Sequence, residues 1–246
     1  MTITQALQSS LADRTVVIFG GTSGIGLAAA IQAKAAGANV IVIGSNAARA
    51  EQAATDHGLD GWRAADVTDN DAVEAALSDI LVVDHLVLLA GTFVAGTVLT
   101  AEVDYLRRAF DERIWAAISA IRALGDRLSK DGSITFISGS LADRPNAYGT
   151  AVLAAASAAM EALARGMALE LAPVRVNTLS PGPINTPILG KALGEGRDAF
   201  VASLEHALPL HRLGTSEEAG SAAVFLMTNT FMNGAVLNID GGARLV

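Results

Sequence analysis

The stretch Thr15–Gly26, TVVIFGGTSGIG, decides the reading of this chain. Val16-Val17-Ile18-Phe19 is continuously apolar, as suits a strand buried on both faces. Gly20-Gly21-Thr22-Ser23-Gly24-Ile25-Gly26 follows, then an alanine-rich helical segment to Ala36 with Gly37 as its stop. Glycines permit a tight turn between strand and helix. The amides at the helix start, helped by its dipole, then form a seat for a diphosphate. Gly20, Thr22, Ser23, Gly24, Ile25 and Gly26 are therefore candidate cofactor-binding residues.

Working outward, short apolar runs alternate with longer alanine-rich segments, the rhythm of βαβ units. Strands are expected at Thr15–Gly20, Asn39–Gly44, Gly61–Ala65, Asp84–Ala90, Ser133–Ser138, Arg175–Leu179 and Ala235–Ile239. Helices are expected at Gly24–Ala36, Asn46–His57, from Thr68 or Asp69 to Asp79, and from Tyr148 to Leu171 before Pro173. Thr100 to Leu128 reads as one or two helices, and Thr215 or Ser216 caps another that runs to Met227. The fold expected is a single-domain, Rossmann-type α/β doubly wound parallel sheet of about seven strands with helices on both faces. No linker divides residues 1–246, and the Gly/Pro-rich stretch 181–209 reads as a substrate lid.

Composition narrows the function. The chain has 246 residues, 51% of them hydrophobic, and a net charge of −8. An acidic surface disfavours nucleic acid and anionic membranes as partners. There are no cysteines, so disulfides, thiolate ligands and cysteine nucleophiles are excluded. The N-terminus lacks a signal-peptide pattern, and Ala147–Met160 reads as too short and too soon charged to span a bilayer. A cytoplasmic protein acting on a small molecule is expected. The four histidines, the acidic residues and Trp62 and Trp115 form no metal or stacking pattern, and no G-x-S-x-G elbow occurs.

With these motifs in place, the chain resembles the short-chain dehydrogenase/reductase family. The resemblance rests on the Gly20-x3-Gly24-x-Gly26 spacing, Asp66-Val67 after the third strand and Ala90-Gly91 after the fourth. It continues through Arg175-Val176-Asn177, the segment Ser180–Pro187 (SPGPINTP) and Asp240-Gly241-Gly242. It implies a nicotinamide dinucleotide held also by Asp66, Val67, Ala90, Gly91, Pro181, Gly182, Ile184 and Thr186, and a homodimer or homotetramer. No carboxylate ends the second strand, which reads Ile43-Gly44-Ser45-Asn46. Ser45, Asn46 and Arg49 can instead serve a 2′-phosphate, so NADP(H) is favoured over NAD(H).

The same resemblance exposes a break. The family's catalytic Tyr and Lys fall at Leu153 and Ser157, and its helix asparagine at Arg113. The serine position falls within Ser138-Gly139-Ser140. A free phenol near pKa 10 needs a neighbouring cation to work at neutral pH. Tyr148 is the candidate relocated acid, with Arg113 or Arg144 supplying charge and Ser138 or Ser140 orienting substrate. The structural alternative for Arg113 is a buried cation paired with a carboxylate other than Asp111 or Glu112. Three functions remain open: an NAD(P)(H)-dependent oxidoreductase of carbonyl, alcohol or activated C=C compounds, a dinucleotide-binding protein without ordinary catalysis, and non-redox chemistry on the same fold.

Overall fold

In the computed structural model, residues 10–187, 189 and 196–246 are described. The strands are β1 Thr15–Phe19, β2 Asn39–Gly44, β3 Gly61–Ala64, β4 Val83–Leu88, β5 Leu128–Ile137, β6 Arg175–Pro181 and β7 Val236–Ile239. They form one seven-stranded sheet in the order β3-β2-β1-β4-β5-β6-β7, with every pairing parallel. The strand order reverses between β1 and β4, and in such sheets ligands bind at the carboxyl ends beside that point.

The helices are α1 Gly24–Ala35, α2 Ala47–His57, α3 Asn70–Leu77, α4 Val103–Phe110, α5 Ala116–Leu124, α6 Ala151–Glu170, α7 Arg197–Ala207 and α8 Ser216–Thr228. A five-residue π-helical turn, Asp111–Trp115, joins α4 to α5. Successive strand residues feed opposite layers. Val17, Phe19, Leu86, Leu88, Ile134 and Phe136 pack under α3, α5 and α6. Val16, Ile18, Val40, Val42 and Val87 pack under α1 and α8. Both faces are covered, which is why the strand sequences do not alternate with polar residues.

Caps explain several boundaries. Asn46 and Asp69 accept backbone N–H bonds at the starts of α2 and α3, and Thr215 with Glu218 forms a capping box on α8. Gly58 closes α2 in the left-handed conformation.

Four expectations need correction. The long helix begins at Ala151, not Tyr148, because Asn146-Ala147-Tyr148-Gly149 forms a turn in which the Asn146 side chain accepts from Tyr148 N. That helix is 20 residues long and apolar enough by length and composition to cross a membrane, so the shortness argument fails. Its apolarity is explained by packing: Met160, Ala164 and Ala168 lie in the core. Strand β5 starts at Leu128, inside the stretch read as helix. Within 181–209, α7 was not anticipated, and it buries no residue completely. Residues 188 and 190–195 of the expected lid lie outside the described residues.

Candidate functional site

The turn after β1 is built from backbone at close quarters. Gly20 has φ of +77°, and a methyl group placed on it would lie 2.8 Å from Ala90 N. A methyl on Gly26 would overlap the Gly20 carbonyl. These two positions press the start of α1 against the ends of β1 and β4. Ser23 occupies the N-cap position with extended backbone, yet its side chain makes no capping bond. The first amides of α1 are thus left without a side-chain partner, the state an anion site needs. Thr186 closes over the turn, 3.4 Å from where a Gly24 methyl would stand. Bare amides, a helix N-terminus and a cradle that a Cβ would fill together suit a diphosphate, so the residues present fit a dinucleotide.

The candidate residues of the adenine half converge on the ends of β2 and β3. Thr22 sits on Gly44, whose methyl would approach Thr22 Cγ2 to 2.7 Å. Ser45, Asn46 and Arg49 are exposed beside it. Asn46 Oδ1 caps α2 by accepting from Arg49 N at 2.9 Å, so only its amide N–H groups remain to donate outward. Asp66 Oδ1 accepts from Thr68 N at 2.9 Å and Oγ1 at 2.8 Å, and these bonds hold its carboxyl below the usual carboxylate range. Val67 is partly buried beside the core.

On the other side of the switch point, Pro181 and Gly182 leave β6 against the chain's last strand. A methyl on Gly182 would reach 2.6 Å from Asp240 Cα, which explains why Gly182 and the Asp240-Gly241-Gly242 segment occur together. Ile184 is buried and bridges to Gly214. A pocket of about 250 Å³ opens behind this loop, lined by Pro183, Ile184, Leu210, Arg212 and Glu218. Arg212 and Glu218 pair there at 2.6 Å, so the pocket's charge is internally matched.

The proton-transfer candidates do not come together. Leu153 is 4% exposed and packs with Val94, Leu106, Ala109 and Ala156, with Leu141 against them. Where the resemblance puts a tyrosine there is an apolar cluster, and Ser157 one turn on is buried. Tyr148 is 75% exposed in the turn before α6. Arg144 donates to the Val246 carbonyl, and no bond joins it to Tyr148 among the described residues. Arg113 donates to Thr92 O at 3.0 Å and Ala109 O at 3.4 Å. Among the described residues it forms no ion pair, contrary to the expected carboxylate partner. Ser138 Oγ donates to Glu161 Oε1 at 2.7 Å, which ties β5 to α6 and engages that hydroxyl. Ser140, half-buried at the start of a 3₁₀ turn, is the remaining candidate serine.

Sequence reasoning missed Glu112. It is buried and accepts from Thr92 N at 2.6 Å, Thr92 Oγ1 at 2.8 Å and Arg108 Nη2 at 2.6 Å. It thereby fixes the loop after β4 to the π-turn. The i,i+4 spacing of Arg108 and Glu112 was the available signal. No group of metal-ligating side chains occurs among the described residues.

Sheet order, glycine turn and the loop after β6 define a doubly wound, dinucleotide-binding α/β protein. A family profile described as enoyl-(acyl carrier protein) reductase matches residues 20–244. The short-chain dehydrogenase/reductase ATR9 of Stachybotrys chlorohalonatus is 32% identical over 96% of this chain and 99% of its own length. The inactive 2-(S)-hydroxypropyl-CoM dehydrogenase 2 of Xanthobacter autotrophicus is 32% identical over 86% of this chain and 97% of its own. The crystal structure of a small-chain dehydrogenase in complex with NADPH superposes with a TM-score of 0.82 at 34% identity, covering 95% of this chain and 100% of that one. The chain belongs to the short-chain dehydrogenase/reductase family of oxidoreductases.

Proposed function

We propose that this protein is an NADP(H)-dependent oxidoreductase, with NAD(H) the alternative cofactor, acting on a small carbonyl or alcohol or on an activated C=C bond. The observation that carries the reading is the pairing of a complete glycine cradle with an apolar cluster at the proton-transfer position. When bound, the cofactor supplies the hydride. The chain's own residues orient the substrate, with Ser140 the candidate hydroxyl for the substrate oxygen. The Leu153 cluster offers no acid, so the proton comes from water. That favours acceptors already polarised by conjugation, in line with the enoyl reductase profile. NADP(H) is favoured because Ser45, Asn46 and Arg49 surround the end of β2 without a carboxylate.

A second reading, a dinucleotide-binding protein without ordinary catalysis, draws on the same buried Leu153 and Ser157 and on the relative named as inactive. Mixing the purified protein with NADPH and panels of carbonyls and conjugated enones, while following reduced-nicotinamide absorbance, separates the two. Turnover on enones supports the first; tight NADPH binding with no turnover supports the second. We further propose a cytoplasmic homodimer or homotetramer that contacts neither nucleic acid nor membrane.

A further inference from the structure

The inference below rests on the dinucleotide reading and concerns the half of the ligand beyond the diphosphate. The glycine turn lies at the end of β1, with β2 on one side and β4 on the other. A dinucleotide carries a nucleoside on each side of its diphosphate, and in a doubly wound sheet the halves lie on opposite sides of the switch point. With one half over β2 and β3, the other begins over the end of β4, at Ala90-Gly91.

Arg113 stands at that place. A methyl group on Gly91 would meet Arg113 Cζ at 3.2 Å and both Nη atoms at 3.3 Å. Three nearly equal distances put the flat face of the guanidinium against the Gly91 peptide. The fork has five N–H donors, and the bonds to Thr92 O and Ala109 O use two. The adjacent carboxylate is committed elsewhere, since Glu112 is taken by Thr92 and Arg108. Arg113 is half-buried rather than sealed, and its remaining donors have no partner among the described residues. Burial lowers the Arg113 pKa, with only Glu112 opposing. A partly buried cation without a counter-ion is costly to keep unless something uses it. Its placement in a π-helical turn fits this, because such turns cluster at functional positions.

We propose that Arg113 donates to the vicinal hydroxyls of the ribose that follows the diphosphate. The π-turn thus delivers a cation to the end of β4, while α6 carries an uncharged, buried Ser157.

Calorimetry with ADP and ADP-ribose, each also in its 2′-phosphorylated form, tests the assignment, because only the ADP-ribose forms carry that second ribose. In the wild-type chain both bind, ADP-ribose more tightly. Arg113→Asn and Arg113→Gln weaken ADP-ribose by about 10- to 100-fold while leaving ADP within about twofold. Arg113→Lys, which keeps the charge but loses the fork, gives a smaller loss confined to ADP-ribose and carries the test if the neutral variants do not fold. Equal weakening of both ligands, or of neither, overturns the assignment. A wild-type chain that binds neither ligand overturns instead the dinucleotide reading beneath it.

Discussion

Helix α1 meets the strand ends through bare backbone, whereas α6 meets them through apolar side chains. At α1, Gly20, Gly24 and Gly26 leave no room for a Cβ without collision or strain, and the first amides lack a side-chain cap. At α6, Leu153, Ala156 and Met160 fill their surroundings with carbon. The cradle depends on chain geometry, so it cannot change without moving β1, β4 and α1 together. Proton transfer depends on which side chain a helix position carries, and one substitution removes it while the packing closes around the replacement. On the proposed function, cofactor binding and acid–base chemistry are separable properties of this chain.

The sharpest way to break that contrast is to rebuild the missing pair. Leu153→Tyr with Ser157→Lys restores the family's acid and its cation on one helix face. If proton supply limits carbonyl reduction, the double variant gains roughly 10²–10⁴ in kcat with NADPH. A tyrosine in the Val94–Leu106–Ala109 cluster is oversized, at a cost of about 1–3 kcal/mol. For a chain of this size that lowers Tm by a few degrees, roughly 2–4 °C per kcal/mol. A gain in turnover together with lower stability is the expected pair of results. Unchanged turnover in a folded variant would place the block elsewhere.

Next comes the cradle itself. Gly26→Ala puts a methyl into the Gly20 carbonyl, and backbone must shift because no side chain can give way. NADPH affinity is expected to fall by at least about 100-fold, the equivalent of about 2.7 kcal/mol, as read by calorimetry. Wild-type affinity in this variant would show that the diphosphate lies elsewhere.

The contrast between the two ends of β4 is sharpened by pH. Ala90-Gly91 follows its carboxyl end, while His85 lies buried near its start with Nδ1 2.8 Å from Ser133 Oγ. Burial, and then the nearby Arg175 charge, pushes the His85 pKa down from 6.5 to about 4. Between these values the unfolded chain binds a proton that the folded chain refuses. The contribution is therefore complete above pH 6.5 and is lost as pH falls towards 4, by up to about 3 kcal/mol. His85→Asn, a neutral residue of similar reach, should flatten this part of the pH–stability curve. Denaturant melts of both proteins at pH 7 and pH 4.5 check it, and parallel curves would rule it out.

The legibility of the sequence follows the same division. The sheet class, the strand positions and the cradle were readable because apolar runs, glycine spacing and caps are local signals. The π-turn, the engagement of Ser138 by Glu161 and the role of Glu112 were not, since each joins residues through tertiary packing. Helix α7 escaped because it has no fully buried stripe to generate a period. Tyr148 was misplaced for a related reason. The alanine run gives no boundary signal of its own, and the turn at Asn146 ends the preceding loop by a side-chain bond to backbone.

Tyr148 also gives the smallest expected effect. It was the natural candidate for a relocated acid, one of only two tyrosines in the chain. Its side chain is 75% exposed, and among the described residues it forms no bond to Arg113 or Arg144. No neighbouring group among the described residues positions its hydroxyl towards a reacting atom, and general-acid catalysis needs a positioned donor. Tyr148→Phe should change kcat/KM by less than about twofold, since a positioned general acid is worth about 10²–10⁴ and an unpositioned one is not. A loss of a hundredfold, with NADPH affinity intact, would mean that the loop before α6 folds over the cofactor during turnover. It would also mean that the apolar face of α6 is a support for a mobile acid rather than the place where one was lost.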